Sequence, residues 1–300
     1  MTGVKREENG ESILENERLL VSVLPDDGGR MVRLFDKLAQ CELLWQNPRT
    51  SRVRRYYGCC YDDMSAGGVE EAFPTVLACK HMRAELPSFG EVWTLPWQET
   101  RDEKGITLET DSLVWPAHLK KVLRLDGTRL CVSYTVENIG TDAFTYLFGF
   151  HPALRLYADS RLLCAPGTYQ MLCAPDLTQE GELFSWPDYH GRDLRQMQGG
   201  SFGGVYNFAM DPAASGYYGV QHPAKQTGLC IRYDASVFRM LSIWPVYGSW
   251  RGHTCLLTEA FTAAPLALTQ AEQAGSAEIL RSGEALQTEV FYEAGLVRGE

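Results

Sequence analysis

The chain has no apolar run long enough to cross a bilayer. Its first residues, Met1 to Asn9, hold no apolar core of the kind a secretory signal needs. Positive charge is in deficit. Lys and Arg number 28 against 38 Asp and Glu, a net charge of −10 that argues against a nucleic-acid partner, which would need a basic face to meet phosphates. No pair of cysteines has the CxxC spacing, and the nine thiols, an odd number, include the neighbours Cys59 and Cys60. A metal site is therefore not expected, nor a disulfide framework. Cys131, Cys230 and Cys255 lie in apolar strand-like runs, where Cys acts as a small hydrophobe. Reduced thiols in a cytoplasmic protein are the simplest account. Internal repeats, low-complexity tracts and linkers are also missing.

What remains is a globular composition, 45% hydrophobic and 22% charged, with the punctuation of a β protein. Leu19–Pro25, the turn Asp26-Asp27-Gly28-Gly29 and Arg30–Asp36 read as an opening hairpin. Further strands are expected at 106–110 and 118–125, with Asp126-Gly127 turning into 129–137. Residues 157–205 read as long loops with short strands that wall a cleft. Strands resume at 216–221 and 228–234, and the last runs over 287–292. The one place that suits a short helix is 268–274. The fold class is all-β, in one domain.

Three stretches carry chemistry. In Tyr146-Leu147-Phe148-Gly149-Phe150-His151-Pro152-Ala153-Leu154, a lone imidazole closes an apolar strand. Pro152 has no N–H for a ladder, so His151 is expected at a strand end on the sheet margin. A histidine satisfied by backbone is the plainer reading on spacing alone. In Pro87 to Trp97, Trp93 and Trp97 follow Gly90-Glu91, the pairing of aromatic faces and carboxylate that a sugar groove uses, or else two core tryptophans and a surface Glu. In Leu256-Leu257-Thr258-Glu259-Ala260-Phe261, a carboxylate sits inside an apolar strand, where burial raises its pKa towards the range of a general base unless an ion pair holds it. Arg49, Arg52, Arg54 and Arg55 form a basic cluster, read as a solvated loop face with an anion clamp as the alternative. The paired acids that follow, Asp62-Asp63 and Glu70-Glu71, read as solvated.

The order of these pieces resembles the aldose 1-epimerase (galactose mutarotase-like) superfamily. The matching elements are the hairpin with Gly28-Gly29-Arg30, Gly90-Glu91-Val92-Trp93 with Pro96-Trp97, Phe150-His151-Pro152-Ala153, Trp244, Gly248-Ser249-Trp250, Glu259 and Leu280–Glu284. Together they cover residues 12–293. The resemblance implies a large antiparallel β-sandwich over 12–295, a flexible start over 1–11, and a sugar cleft on one concave face. It carries the catalytic roles to His151, as an imidazolium acid, and to Glu259, as the base. Together they interconvert sugar anomers by ring opening, with no metal, nucleotide or covalent intermediate. Substrate contacts are expected from Phe89, Glu91, Trp93, Asn207 and Trp244. Two positions depart from the family pattern: Phe89 stands where a second histidine is usual, and Asn207 where an acid grips sugar hydroxyls. They favour the alternative of a carbohydrate-binding or sensing protein without turnover. A third reading is a glycosidase using Glu91 and Glu259, whose carboxyl groups would then lie about 5–10 Å apart. The expected partner is a small carbohydrate, with the chain a monomer or homodimer, no membrane and no nucleic acid.

Overall fold

The computed structural model describes residues 2–7, 10–51, 53–175, 179, 181–197, 203–210 and 216–296. Met1, Glu8 and Asn9 of the expected flexible start lie outside them. So do Arg52 of the basic cluster and residues 176–178, 180 and 198–202 of the expected cleft walls.

Alternating side chains dictate two antiparallel sheets. The larger has 12 strands. Its order runs Gly3–Arg6, Ser12–Glu15, Leu19–Leu24, Arg30–Asp36, Val69–Ala72, Gly149–Arg155, Thr254–Phe261, Met240–Tyr247, Asn207–Met210, Thr168–Cys173 and Glu182–Ser185, with Cys41–Glu42 added beside Arg30–Asp36. The smaller has eight, from Arg161–Cys164 through Tyr217–His222, Thr227–Tyr233, Ala285–Ala294, Arg129–Asn138, Ala117–Asp126 and Gly105–Asp111 to Gln98–Arg101. The inner faces share one continuous cluster of buried side chains, in which Tyr134 of the smaller sheet packs on Phe150 of the larger and on Phe148 just before that strand. This is an all-β sandwich, as the alternation implies. The opening hairpin, the Asp126-Gly127 turn and the helix Leu268–Ala274 also match the sequence reading.

Three local expectations change. Within the supposedly flexible start, Gly3–Arg6 pairs with Ser12–Glu15 as an edge strand; its side chains are largely exposed, so no alternation announced it. Residues 139–142, which read as a plain turn into the His151 strand, lead first to Phe144–Tyr146, paired with Glu278–Leu280 in a small two-stranded sheet, before Gly149–Arg155 joins the larger one. The third change concerns His151. Its strand does not end at Pro152 but continues to Arg155, in the middle of the larger sheet. Pro152 is tolerated there because the ladder to Thr254–Phe261 is interrupted where its N–H would be needed. Phe150 pairs with Ala260 and Ala153 with Leu257, and no bridge forms between those two pairs. The Thr258 hydroxyl donates to the Pro152 carbonyl across the interruption.

Candidate active site

Register alone lines up a polar row across the large sheet. Counting from the flanking pairs, His151 lies opposite Glu259 on one side, and it pairs with Glu70 on the other. Glu259 pairs in turn with Ser242. One step from the Met31–Val69 bridge places Arg30 opposite Glu70. Cross-strand neighbours share a face, so Arg30, Glu70, His151, Glu259 and Ser242 all project from the outer face, away from the smaller sheet. Around them a second apolar cluster is built from Ala72, Ala209, Met240 and Phe261 of the sheet and Cys59, Tyr61, Phe89 and Trp93 of the loops.

The His151 Nε2 and Glu259 Oε1 atoms are 3.6 Å apart. His151 is 4% exposed, and the Glu259 side chain keeps 15% of its surface open. Burial governs both protonation states. Loss of water lowers the His151 pKa to about 4, against the partial opposition of the Glu70 charge. The same loss raises the Glu259 pKa to about 7, although the polar Ser242 hydroxyl and Trp244 indole N–H beside it pull it down. Both shifts favour a neutral imidazole beside a neutral carboxyl over the imidazolium–carboxylate pair that the family resemblance implies. When the pair holds one proton, burial places it on the carboxyl, because desolvation penalises each charged form.

His151 Nδ1 lies 3.0 Å from the Tyr61 hydroxyl, which donates to Glu70 Oε2 at 2.8 Å. Glu70 Oε1 receives a short charge-assisted bond from Arg55, and Arg30 Nε stands 3.9 Å from it. Asp27 holds both guanidiniums, at 2.9 Å from Arg55 and 3.0 Å from Arg30. Burial, followed by the Glu70 charge, pushes the Tyr61 phenol well above its ordinary pKa, so it remains an O–H donor. Arg55 therefore belongs neither to a solvated loop face nor to a free anion clamp; it is 4% exposed and fully engaged. Glu70 and Glu71 are likewise buried, contrary to the solvated reading, whereas Asp62 and Asp63 are exposed.

The expected substrate-contact residues divide. Trp244 is half-buried on the outer face, and its indole N–H donates to Ser242 Oγ, which donates to Asn207 Oδ1. These two remain beside Glu259. Phe89 packs edge-on against His151 at 5.2 Å and stacks on Tyr61 at 3.6 Å. Its backbone sits at φ +61°, a costly left-handed conformation for a bulky residue. Gly90 follows in the same region, where a Cβ would collide with the Phe73 carbonyl. Trp93 is 1% exposed, enclosed by Tyr61 and the Arg55 guanidinium, so it has no face to offer a sugar. Trp97 is a core residue too. Glu91 is fully buried and caps the turn at 112–115, accepting from the Ser112 hydroxyl and the Leu113 N–H. It does not join Glu259.

Tyr61 and Ser242 drew no notice in the sequence, and Arg55 and Glu70 were read as parts of solvated segments. Two carboxylates inside the short apolar run Val69-Glu70-Glu71-Ala72-Phe73 were the available signal. Among the described residues no cluster of His, Cys, Asp or Glu could hold a metal ion.

No protein-family model matches this chain, and no curated protein does. Solved structures do. A galactose mutarotase-like protein from Lactobacillus casei superposes with a TM-score of 0.66 at 17% identity, over 95% of this chain and 100% of its own. A galactose mutarotase-like protein from Clostridium acetobutylicum gives 0.67 at 13%, over 99% of each chain. The fold is galactose mutarotase-like. A galactose mutarotase related enzyme from Lactobacillus acidophilus shares this mutarotase-like fold at a TM-score of 0.68 and 13% identity, over 95% of this chain and 97% of that one.

Proposed function

We propose that this protein catalyses the interconversion of aldose anomers, acting on a free or modified sugar. The observation that carries the reading is the 3.6 Å approach of His151 Nε2 to Glu259 Oε1 on the outer face of the mutarotase-like sheet. The anomeric hydroxyl and the ring oxygen are bonded to the same carbon, so the two proton-transfer groups must reach neighbouring atoms. Facing side chains on adjacent strands meet that requirement. In the neutral pair, His151 Nε2 takes the proton of the anomeric hydroxyl while the Glu259 carboxyl gives one to the ring oxygen. The C1–O5 bond breaks, C1 turns, and closure on the other face runs the transfers backward. The roles are exchanged relative to those the family resemblance implies, because burial moves the shared proton to the carboxyl. Trp244 and Asn207 are the contacts nearest to hand for the rest of the sugar. Nine unpaired thiols fit a reducing compartment such as the cytoplasm.

Anomeric exchange measured by NMR across a panel of aldoses and sugar phosphates tests this, with wild type beside Glu259→Gln. Acceleration by wild type that the variant loses supports the reading. Saturation-transfer contacts to a sugar without acceleration would sink it and leave a carbohydrate-binding protein, the reading that Asn207 in place of an acid favours. The two-carboxylate glycosidase loses its support, since Glu91 is committed to the turn at 112–115.

A further inference from the structure

The expected second histidine is absent, yet the space beside His151 is filled. Tyr61, on the short helix Tyr61–Met64, enters from a loop far away in sequence and places its hydroxyl between Glu70 and the imidazole. Phe89 lies flat beneath its ring, 3.6 Å between centroids and 9° from parallel. Trp93 meets it edge-on at 5.0 Å. The platform that fixes Tyr61 is thus the residue that departs from the family pattern, held in its costly left-handed backbone.

Hydrogen-bond accounting then fixes the direction of each proton. Paired with Arg55, Glu70 is an acceptor on both oxygens. The Tyr61 hydroxyl owns one hydrogen and gives it to Glu70 Oε2. Its lone pair is left to face His151 Nδ1, so Nδ1 must be the donor across the 3.0 Å contact. A neutral imidazole with its proton on Nδ1 has a bare lone pair on Nε2, the atom turned towards Glu259.

We propose that Tyr61, oriented by Glu70 and seated on Phe89, is the positioning residue of the site, holding His151 as the Nδ1–H tautomer so that Nε2 presents its lone pair to the cleft. The chain Arg55–Glu70–Tyr61–His151 selects a tautomer as the buried carboxylate of a hydrolytic triad does, with a phenol interposed. The catalytic consequence rests on the epimerase reading; the tautomer does not.

Long-range proton–nitrogen correlation on uniformly nitrogen-15-labelled protein near pH 7 reads the tautomer directly, with the His151 signals identified by their loss in His151→Asn. Wild type is expected to show a protonated Nδ1 and a bare Nε2. Tyr61→Phe keeps the ring on Phe89 and removes only the hydroxyl, the acceptor for His151 and the donor to Glu70; the His151 signals should move towards a mixture of tautomers. Its kcat for anomeric exchange should fall about 10- to 100-fold, as for other residues that orient a working imidazole, with KM nearly unchanged. A wild-type imidazole protonated on Nε2 overturns the proposal without any variant. So does a Tyr61→Phe protein whose tautomer stays pure Nδ1–H. The expected tautomers with no sugar accelerated would leave the positioning intact and defeat only the proposed activity.

Discussion

Glu70 and Glu71 are neighbours in the chain and point to opposite faces of one strand, both almost wholly buried. Glu71 enters the space between the sheets. There it meets Lys121 at 2.7 Å and the Tyr134 hydroxyl at 3.0 Å. Burial raises its pKa and lowers that of Lys121, each partly offset by the other's charge. Every link of that network ends inside the core. Glu70 faces outward, and its partners lead through Tyr61 and His151 to a carboxyl that is 15% open. The two networks are alike in burial and charge and differ in where they end. A closed network specifies packing; one that terminates at a partly open carboxyl can do chemistry.

Substitutions can break that contrast at several points. The largest effect belongs to the outer network: His151→Asn should slow anomeric exchange about 10²- to 10⁴-fold, the share general acid–base groups usually supply, while leaving thermal unfolding nearly unchanged. The inner network should show the converse. Lys121→Met strands a buried carboxylate and is expected to lower unfolding free energy by about 3–5 kcal/mol in denaturant titrations, with exchange per folded molecule intact. Adding Glu71→Leu should recover most of that loss, since the stranded charge is then gone.

The pH dependence sharpens the comparison further. With Glu259 raised to about 7 and His151 lowered to about 4, the pair carries one proton between those limits, and exchange should be fastest there and decline on either side. Stability follows the same shifts. Glu259 ionises in the unfolded chain from its ordinary 4.5 and in the native protein only near 7, so stability is lost as pH rises between them. Glu259→Gln lacks that loss. It should match wild type near pH 4 and exceed it by about 1–3 kcal/mol at pH 8. The smallest effect is expected of Glu91→Gln. Weakened acceptance from Ser112 and Leu113 should cost about 1–2 kcal/mol of stability and leave exchange untouched. Lost exchange in that variant would return Glu91 to the site.

Much of this was legible beforehand. The opening hairpin and the Asp126-Gly127 turn announce themselves by alternation and turn chemistry, both local properties. His151 and Glu259 of the candidate site stood out because a single ionisable residue in an apolar strand breaks the pattern around it. Tyr61 was not, since its role arises from a contact across 90 positions and nothing in the sequence around it marks a strand or a site. Glu70 was hidden by its neighbour: two adjacent acids read as a solvated pair unless the strand is known to be buried on both faces. Trp93 misled for the opposite reason. The Gly-Glu-Val-Trp motif is present, but Arg55 and Tyr61, both distant in sequence, cover the ring.

Pro152 has a mechanical consequence. Sheets resist being pried apart because each backbone bond must be surrendered in turn. Between the strands that carry His151 and Glu259, the rung at 151–152 was never made. Beside His151 and Glu259 the large sheet is therefore joined across the gap by one side-chain bond, from the Thr258 hydroxyl to the Pro152 carbonyl, in place of a backbone rung. Pro152→Ala would offer the missing N–H and let a backbone rung form beside the candidate site.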